Sequence, residues 1–403
     1  MPQTPDELLS SPPFNIINRA HIIERFGSDK LTLLLEMAAA GDALADSTVF
    51  ELSKAPVGTQ GILDAGIRKG RDSLQSPPDS VGALLEQTET IPQWVDETSI
   101  QRGSEAYLSI GSLWLTISLG PGSLAHTYSS PTIAKVLMGT GNLDDRAARR
   151  LAETATWEQR ALRPGGLIKG SEGYIHTLQV RMLHARVRAG LRKRGWNQAE
   201  LGMPISQLDM LRTWLDFTYV PFSALEKIGI TFDQQEFQDL YHLWQLVAHL
   251  LGIEPRFYRQ VVDQHSAAQL LALIDASCAE PDENSRALTE RMLTALGQLL
   301  QPALGLPEDV TVLLMHAFCR RFHGAELADK LGAQENWAAN LLPIITDANR
   351  YQRQLERSDS AVRQRKIAQT LTSFDKAIAA LEGKTTYQSS IDAVASEELP
   401  QTA

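Results

Sequence analysis

Arg150-Leu151-Ala152-Glu153-Thr154, with Trp157 close behind, and Val180-Arg181-Met182-Leu183-His184-Ala185-Arg186-Val187-Arg188 are the two runs on which the fold turns. At about 100° per residue, an α-helix puts Arg150, Glu153, Thr154 and Trp157 on one face. The same geometry puts Arg181, His184 and Arg188 on one face of the next helix. The first helix spans Asp144 to about Leu162 and stops at Pro164-Gly165-Gly166. The second starts near Gly173 and runs to about Arg194. If the two faces meet, they enclose a polar site in an otherwise apolar protein.

Helical signals continue outward in both directions. Leu31 to Ala45 is mostly apolar and reads as a buried helix. Leu108 to Leu119 carries no charge and is broken by Gly120-Pro121-Gly122. A membrane span needs roughly 20 apolar residues, so this stretch reads as a buried central helix. Pro131 suits a helical first turn. Ser206 with Asp209, and Asp233 with Glu236, read as N-terminal capping pairs. Asn284 or Ser285 caps a helix reaching about Leu300, and Glu308 to His323 and Asn336 to Leu381, interrupted at Pro343, complete the set. No strand alternation and no short-period repeat occurs. The expectation is an all-α protein of roughly a dozen helices in one large domain. Residues 1–18 read as a flexible arm, 19–382 as the helical domain and 383–403 as a disordered tail.

Composition narrows the function. The chain has 403 residues, 43% of them hydrophobic, which suffices for a large core. A net charge of -10, with no basic block beyond Arg192-Lys193-Arg194, argues against nucleic acid as a partner. The N-terminal residues show no basic-then-apolar leader pattern, so a cytoplasmic location without membrane association is expected. Cys278 and Cys319 form no CxxC, which leaves no zinc site, disulfide framework or covalent haem attachment in view. Dinucleotide, P-loop, zincin and nucleophile-elbow motifs are missing. His242 and His249, like His316 and His323, are seven apart on a helix. Metal ligands come in threes or fours, so half-buried, hydrogen-bonded histidines are the better reading of both pairs.

His184 differs. Its helix is apolar, and Arg181 and Arg188 stand a turn away on each side with no acid nearby on that helix. A haem meets both needs, because iron takes one imidazole and the propionates take guanidinium groups. A satisfied core histidine is the alternative.

An ordered set of further segments resembles the MpaB/latex-clearing-protein family of haem b oxygenases. The set comprises Gly41-Asp42-Ala43-Leu44-Ala45-Asp46, Pro92-Gln93-Trp94-Val95-Asp96, Arg102-Gly103, Ser130-Pro131, Thr140-Gly141, the two central runs, Gly202-Met203-Pro204-Ile205-Ser206-Gln207 and Leu243 to Ile253. The resemblance implies a non-covalent haem b in a globin-like core over about 104–255, with His184 as proximal ligand to iron. It implies Arg150, Thr154 and Trp157 near the cofactor, and Arg181 and Arg188 as its flanking basic positions. Glu153 departs from the pattern, since relatives that clear latex carry a lysine there. Their glutamate base has no counterpart, and Lys135 lies in that region.

Four functions follow. The first is a haem b oxygenase that uses O2 on the face opposite His184 to cleave C=C bonds of a small apolar, alkene or prenyl-type substrate, with Glu153 as base and Arg150 and Thr154 orienting oxygen. The second is a peroxygenase or peroxidase in which Glu153 and Arg150 work on H2O2. The third is a non-catalytic haem-binding protein. The fourth is a helical interaction protein in which Arg150–Glu153 is an ordinary ion pair.

Overall fold

The computed structural model describes residues 5–56, 59–138 and 143–381. Helices and turns account for the secondary structure, and no strand occurs among the described residues. One continuous hydrophobic core runs from Leu8 to Phe374. The all-α expectation holds. The described residues form 22 α-helical segments, because short pieces such as Pro255–Tyr258 punctuate the connections.

Six helices position the site: α1 (Ala43–Lys54), α2 (Glu97–Leu108), α3 (Leu143–Ala161), α4 (Glu172–Lys193), α5 (Gln207–Phe217) and α6 (Gln234–Leu250). Local chemistry sets their ends. Both predicted capping pairs are reciprocal boxes, Ser206 with Asp209 starting α5 and Asp233 with Glu236 starting α6. Ser171 caps α4 by accepting from the Tyr174 amide at 3.3 Å. The turn between α3 and α4 is tight. A Cβ on Gly173 would sit 2.3 Å from the Arg160 and Gly166 carbonyl oxygens, so only glycine fits there. Beyond that crossing, the Trp157 indole donates to Thr177 Oγ1 at 3.0 Å, which pins the antiparallel register of the pair.

The Arg102-Gly103 segment joins α2 to α6. Arg102 grips Asp239 at 2.7 and 2.8 Å, and a Cβ on Gly103 would lie 2.4 Å from the Asp239 carbonyl oxygen. The uncharged stretch is buried as expected, but it is bent. Helix α2 ends at Leu108, Gly111 turns with φ 90°, and a wide π-type turn over Ser118–Leu124 accommodates Pro121. No single described helix is long and apolar enough to cross a membrane. Glu97–Leu108 and Ser112–Tyr128 together have the length but meet at 89°.

Four expectations are corrected. The Leu31–Ala45 helix divides into Ser28–Ala39 and α1, because Asp42 takes the N-cap of α1 and accepts from the Ala45 amide. Asp282, rather than Asn284 or Ser285, caps Glu283–Leu304. The last break falls at Asp359, between Leu342–Ser358 and Ser360–Leu381, since Pro343 occupies a first-turn position where its missing N–H costs nothing. The N-terminal arm is docked where it is described. Leu8 is buried, and Arg19 donates to the carbonyls of Leu8, Ser11 and Ile16. The tail expected from 383 onward lies outside the described residues.

Candidate active site

Seven residues back from Trp157 on α3 lies Arg150, and seven forward from Thr177 on α4 lies His184. Seven residues are two turns, or about 10 Å of helix. The antiparallel register set by the Trp157–Thr177 bond therefore brings Arg150 level with His184, and Glu153 and Thr154 level with the Arg181 turn. The side chain of Arg150 lies outside the described residues. Glu153 is buried at 7% exposure and Thr154 is half-buried. Lys135 is exposed on Pro131–Met138.

His184 has a buried Nδ1 with no hydrogen-bond partner. Burial pushes its pKa down, Arg188 adds to that, and Asp42 only partly opposes them, leaving it at about 4. The ring is neutral at physiological pH, the form that coordinates a metal. Among the described residues, no group of three or more His, Cys, Asp or Glu could hold a metal ion. Any metal at His184 must bring its other ligands with it, as a porphyrin does.

The two arginines beside His184 have carboxylate partners that the sequence reading did not foresee. Asp42 and Asp46, at the start of α1, supply them. Arg181 meets Asp42 through Nε at 2.6 Å and Nη2 at 3.0 Å, and gives Nη1 to Gln87 Oε1 at 2.7 Å. Arg188 pairs with Asp46 and donates to the Ile205 carbonyl at 2.8 Å. Their buried charge is thus balanced inside the chain. Asp42 and Asp46 lie within Gly41–Asp46, one of the segments that carries the resemblance. The signal was present, but no local periodicity links it to residues some 140 positions away.

Trp157 is a strut. It is 5% exposed, its N–H is taken by Thr177, and its ring packs on Phe217 and Trp244 at 5.7 and 6.5 Å. The histidine pairs are satisfied as read. His242 Nε2 accepts from the Asp96 amide at 2.9 Å, and His316 Nδ1 accepts from that of Gln334 at 3.0 Å. His323 Nε2 lies 2.9 Å from the Pro121 carbonyl, and His249 meets Gln87.

Sequence reasoning missed a second buried polar cluster. His126 Nδ1 donates to Asp216 at 2.7 Å, with Asp275 at 3.4 Å from Nε2, and Arg212 donates to the His126 carbonyl at 3.2 Å. A cleft of about 510 Å³ beside it is lined by His126, Tyr219, Ser223, Glu226, Lys227 and His323, among others. Another of about 640 Å³ lies where Arg163 and Gly166 face Asp375. Neither contains His184, Glu153 or Thr154. The two clefts and the unpartnered imidazole of His184 therefore lie in different parts of the molecule.

A family model described as "ER-bound oxygenase mpaB/B'/Rubber oxygenase, catalytic domain" matches residues 108–346. A rubber oxygenase of Streptomyces sp. (strain K30) is 26% identical over 263 residues. That match spans 63% of this chain and 61% of the relative's length. The solved structure of latex clearing protein LCP in the closed state superposes with a TM-score of 0.60 at 20% identity. It covers 84% of this chain and 90% of that one, so the fold is shared. With the family model covering more than half of its length, the chain belongs to the mpaB/B' and rubber oxygenase family.

Proposed function

We propose that this protein is a haem b-dependent oxygenase acting on an apolar, alkene-bearing substrate, with oxidative C=C cleavage as its reaction. The observation that carries the reading is His184, a neutral imidazole with a buried nitrogen that has no hydrogen-bond partner, between two arginines that are themselves paired. His184 would hold the iron, and the bound haem would supply the redox chemistry toward dioxygen. The relative named rubber oxygenase supports an apolar, unsaturated substrate.

The chain's own groups then divide the work. Leu151, Val180 and Leu183, packed against the core, give these two helices an apolar flank. The Thr154 hydroxyl and the Arg150 guanidinium orient the oxidant by hydrogen bonding. The Glu153 carboxylate holds and passes a proton. Trp157 braces α3 against α4 two turns away.

Glu153 also favours a second reading. A buried carboxylate stands where latex-clearing relatives have lysine, and a carboxylate with an arginine suits H2O2 as oxidant. Absorption spectra of the purified protein, ferric, ferrous and ferrous with CO, test the cofactor. A Soret band and a pyridine haemochrome of type b are expected, and protein that stays colourless after expression with haem supplied refutes the proposal. Squalene, incubated with 18O2 alone or with H2O2 under argon, separates the readings. Labelled carbonyl products with O2 support the oxygenase, and turnover with peroxide alone supports the peroxygenase.

A further inference from the structure

Four of the sequence segments that carry the family resemblance meet at one place in the structure. Asp42 and Asp46 come from the first, Arg181 and Arg188 from the helix of His184. Gln207, from Gly202–Gln207, donates through Nε2 to the Gly41 carbonyl at 2.9 Å and to the Gly252 carbonyl at 3.0 Å, while its Oε1 accepts from the Glu254 amide at 2.9 Å. Gly252 is the penultimate residue of the fourth segment. It turns with φ 79°, and a Cβ there would lie 2.2 Å from Asp42 Oδ2 and 2.5 Å from Arg181 Nε. A Cβ on Gly41 would lie 2.5 Å from Asp46 Oδ2 and 3.0 Å from Arg188 Cδ. Each ion pair is thus roofed by a glycine that leaves room for nothing else, and one glutamine ties the two roofs together. Ile205, whose carbonyl receives Arg188, is held at φ 53°, a conformation that β-branched residues avoid. Strain of that kind persists only where the surroundings over-determine it.

We infer that Asp42, Asp46 and Gln207 are positioning residues for His184. They clamp its helix three residues before and four residues after the imidazole, on the face that carries it. The inference rests on the proposal that His184 holds a haem. The clamp does two things. It fixes the rotation of α4, so that His184 projects in one direction. It also neutralises the two cations beside the imidazole with side chains, leaving the histidine free of a carboxylate or carbonyl partner. Asp42 does this while capping α1, so the start of that helix, the Arg181 pair and the His184 turn are a single mechanical unit.

The test uses the full-length holoprotein and its Asp42→Asn, Asp46→Asn and Gln207→Leu variants. Two quantities are read: the ferrous iron–histidine stretching band by resonance Raman, and the rate of haem transfer to excess apomyoglobin. A displaced stretch and haem loss about ten- to a hundredfold faster are expected, as for other partners that orient a metal-bound histidine. The same substitutions are then made in a His184→Gly background supplied with imidazole. There the stretch must stay where the imidazole-rescued parent places it, because a free ligand has no helix to orient it. Folded Asp42→Asn and Asp46→Asn proteins with an unmoved stretch and unchanged haem transfer would overturn the inference. So would an equal displacement in the rescued background, which would mean a generally loosened pocket. If Asp42→Asn does not fold, Asp46→Asn decides, since the Asp46 side chain is 28% exposed and tolerates the change better. Wild-type protein that takes up no haem refutes the proposed function. Wild-type holoprotein with unaltered variants refutes only the clamp.

Discussion

His184 and His126 sit in the same helical core, and burial pushes both toward the neutral form. They end in opposite states. At His126 the Asp216 carboxylate at 2.7 Å, helped by Asp275 and opposed by Arg212, overcomes desolvation and carries the pKa up to about 9. At His184 the neighbouring Arg188 reinforces desolvation and takes it down to about 4. His126 is a closed structural cation, with a carboxylate facing each ring nitrogen. His184 is open, with a nitrogen kept dry and unclaimed. Burial therefore does not separate a structural histidine from a candidate ligand. What separates them is whether the first carboxylate in reach is spent on the ring or on the arginines beside it. At His184, Asp42 and Asp46 are spent on Arg181 and Arg188.

The sharpest break between the two regions is cofactor retention. His184→Leu is expected to abolish the Soret band, while the haem-free protein keeps its unfolding free energy within about 1 kcal/mol, since no hydrogen bond is lost at Nδ1. Urea unfolding of haem-free protein and the spectrum of the purified variant check both halves. A normal spectrum in His184→Leu would remove the distinction.

Turnover is the next contrast. Glu153→Gln keeps the shape of the side chain and removes the proton acceptor, so kcat should fall about 10²- to 10⁴-fold with haem content intact. Steady-state oxidation of squalene, normalised to haem, measures it. Undiminished turnover would make Glu153 a spectator of the site.

Breaking the closed site should cost stability instead. Asp216→Asn leaves the His126 and Arg212 side without its buried carboxylate, and a loss of about 3–5 kcal/mol is expected. Urea titration at pH 7 reads this directly. A loss under about 1 kcal/mol would show the network relaxing around the vacancy and weaken the contrast with His184.

The smallest effect is in pH dependence, and its sign differs between the regions. His126 is raised, so its contribution is complete below the unfolded histidine value near 6.5 and is lost as pH rises toward about 9. His184 is lowered, so its cost appears as pH falls below about 6.5 and saturates near 4. Each slope is at most about 1.4 kcal/mol per pH unit. Relative to wild type, Asp216→Asn should flatten the stability profile above neutrality and His184→Leu should flatten it in acid. Parallel profiles would contradict both assignments.

Much of this architecture was legible without coordinates. The capping boxes at Ser206 and Asp233 and the stop at Pro164-Gly165-Gly166 depend on residues three or four apart, and local hydrogen bonding obeys the same rules in any fold. The pattern placed His184 between two arginines on one face, and Arg150, Glu153 and Thr154 on another, because helical periodicity needs only one chain segment. The split at Asp42 was missed because Leu31 to Ala45 is apolar on both sides of the cap, and hydrophobic pattern outweighs a single capping residue in such a reading.

The tertiary structure decided what those faces meet. Sequence by itself determined the helices, their faces and the histidine that stands apart. It left open which anions balance Arg181 and Arg188, because a carboxylate on another helix and a bound propionate satisfy a guanidinium equally well. Only the fold brings Asp42 within 2.6 Å of Arg181 across 139 residues of chain. Only the fold buries Nδ1 of His184 while assigning Asp216 to His126. Charge state and pairing are set by distance and dielectric, and for residues far apart in the chain neither exists until the core has closed.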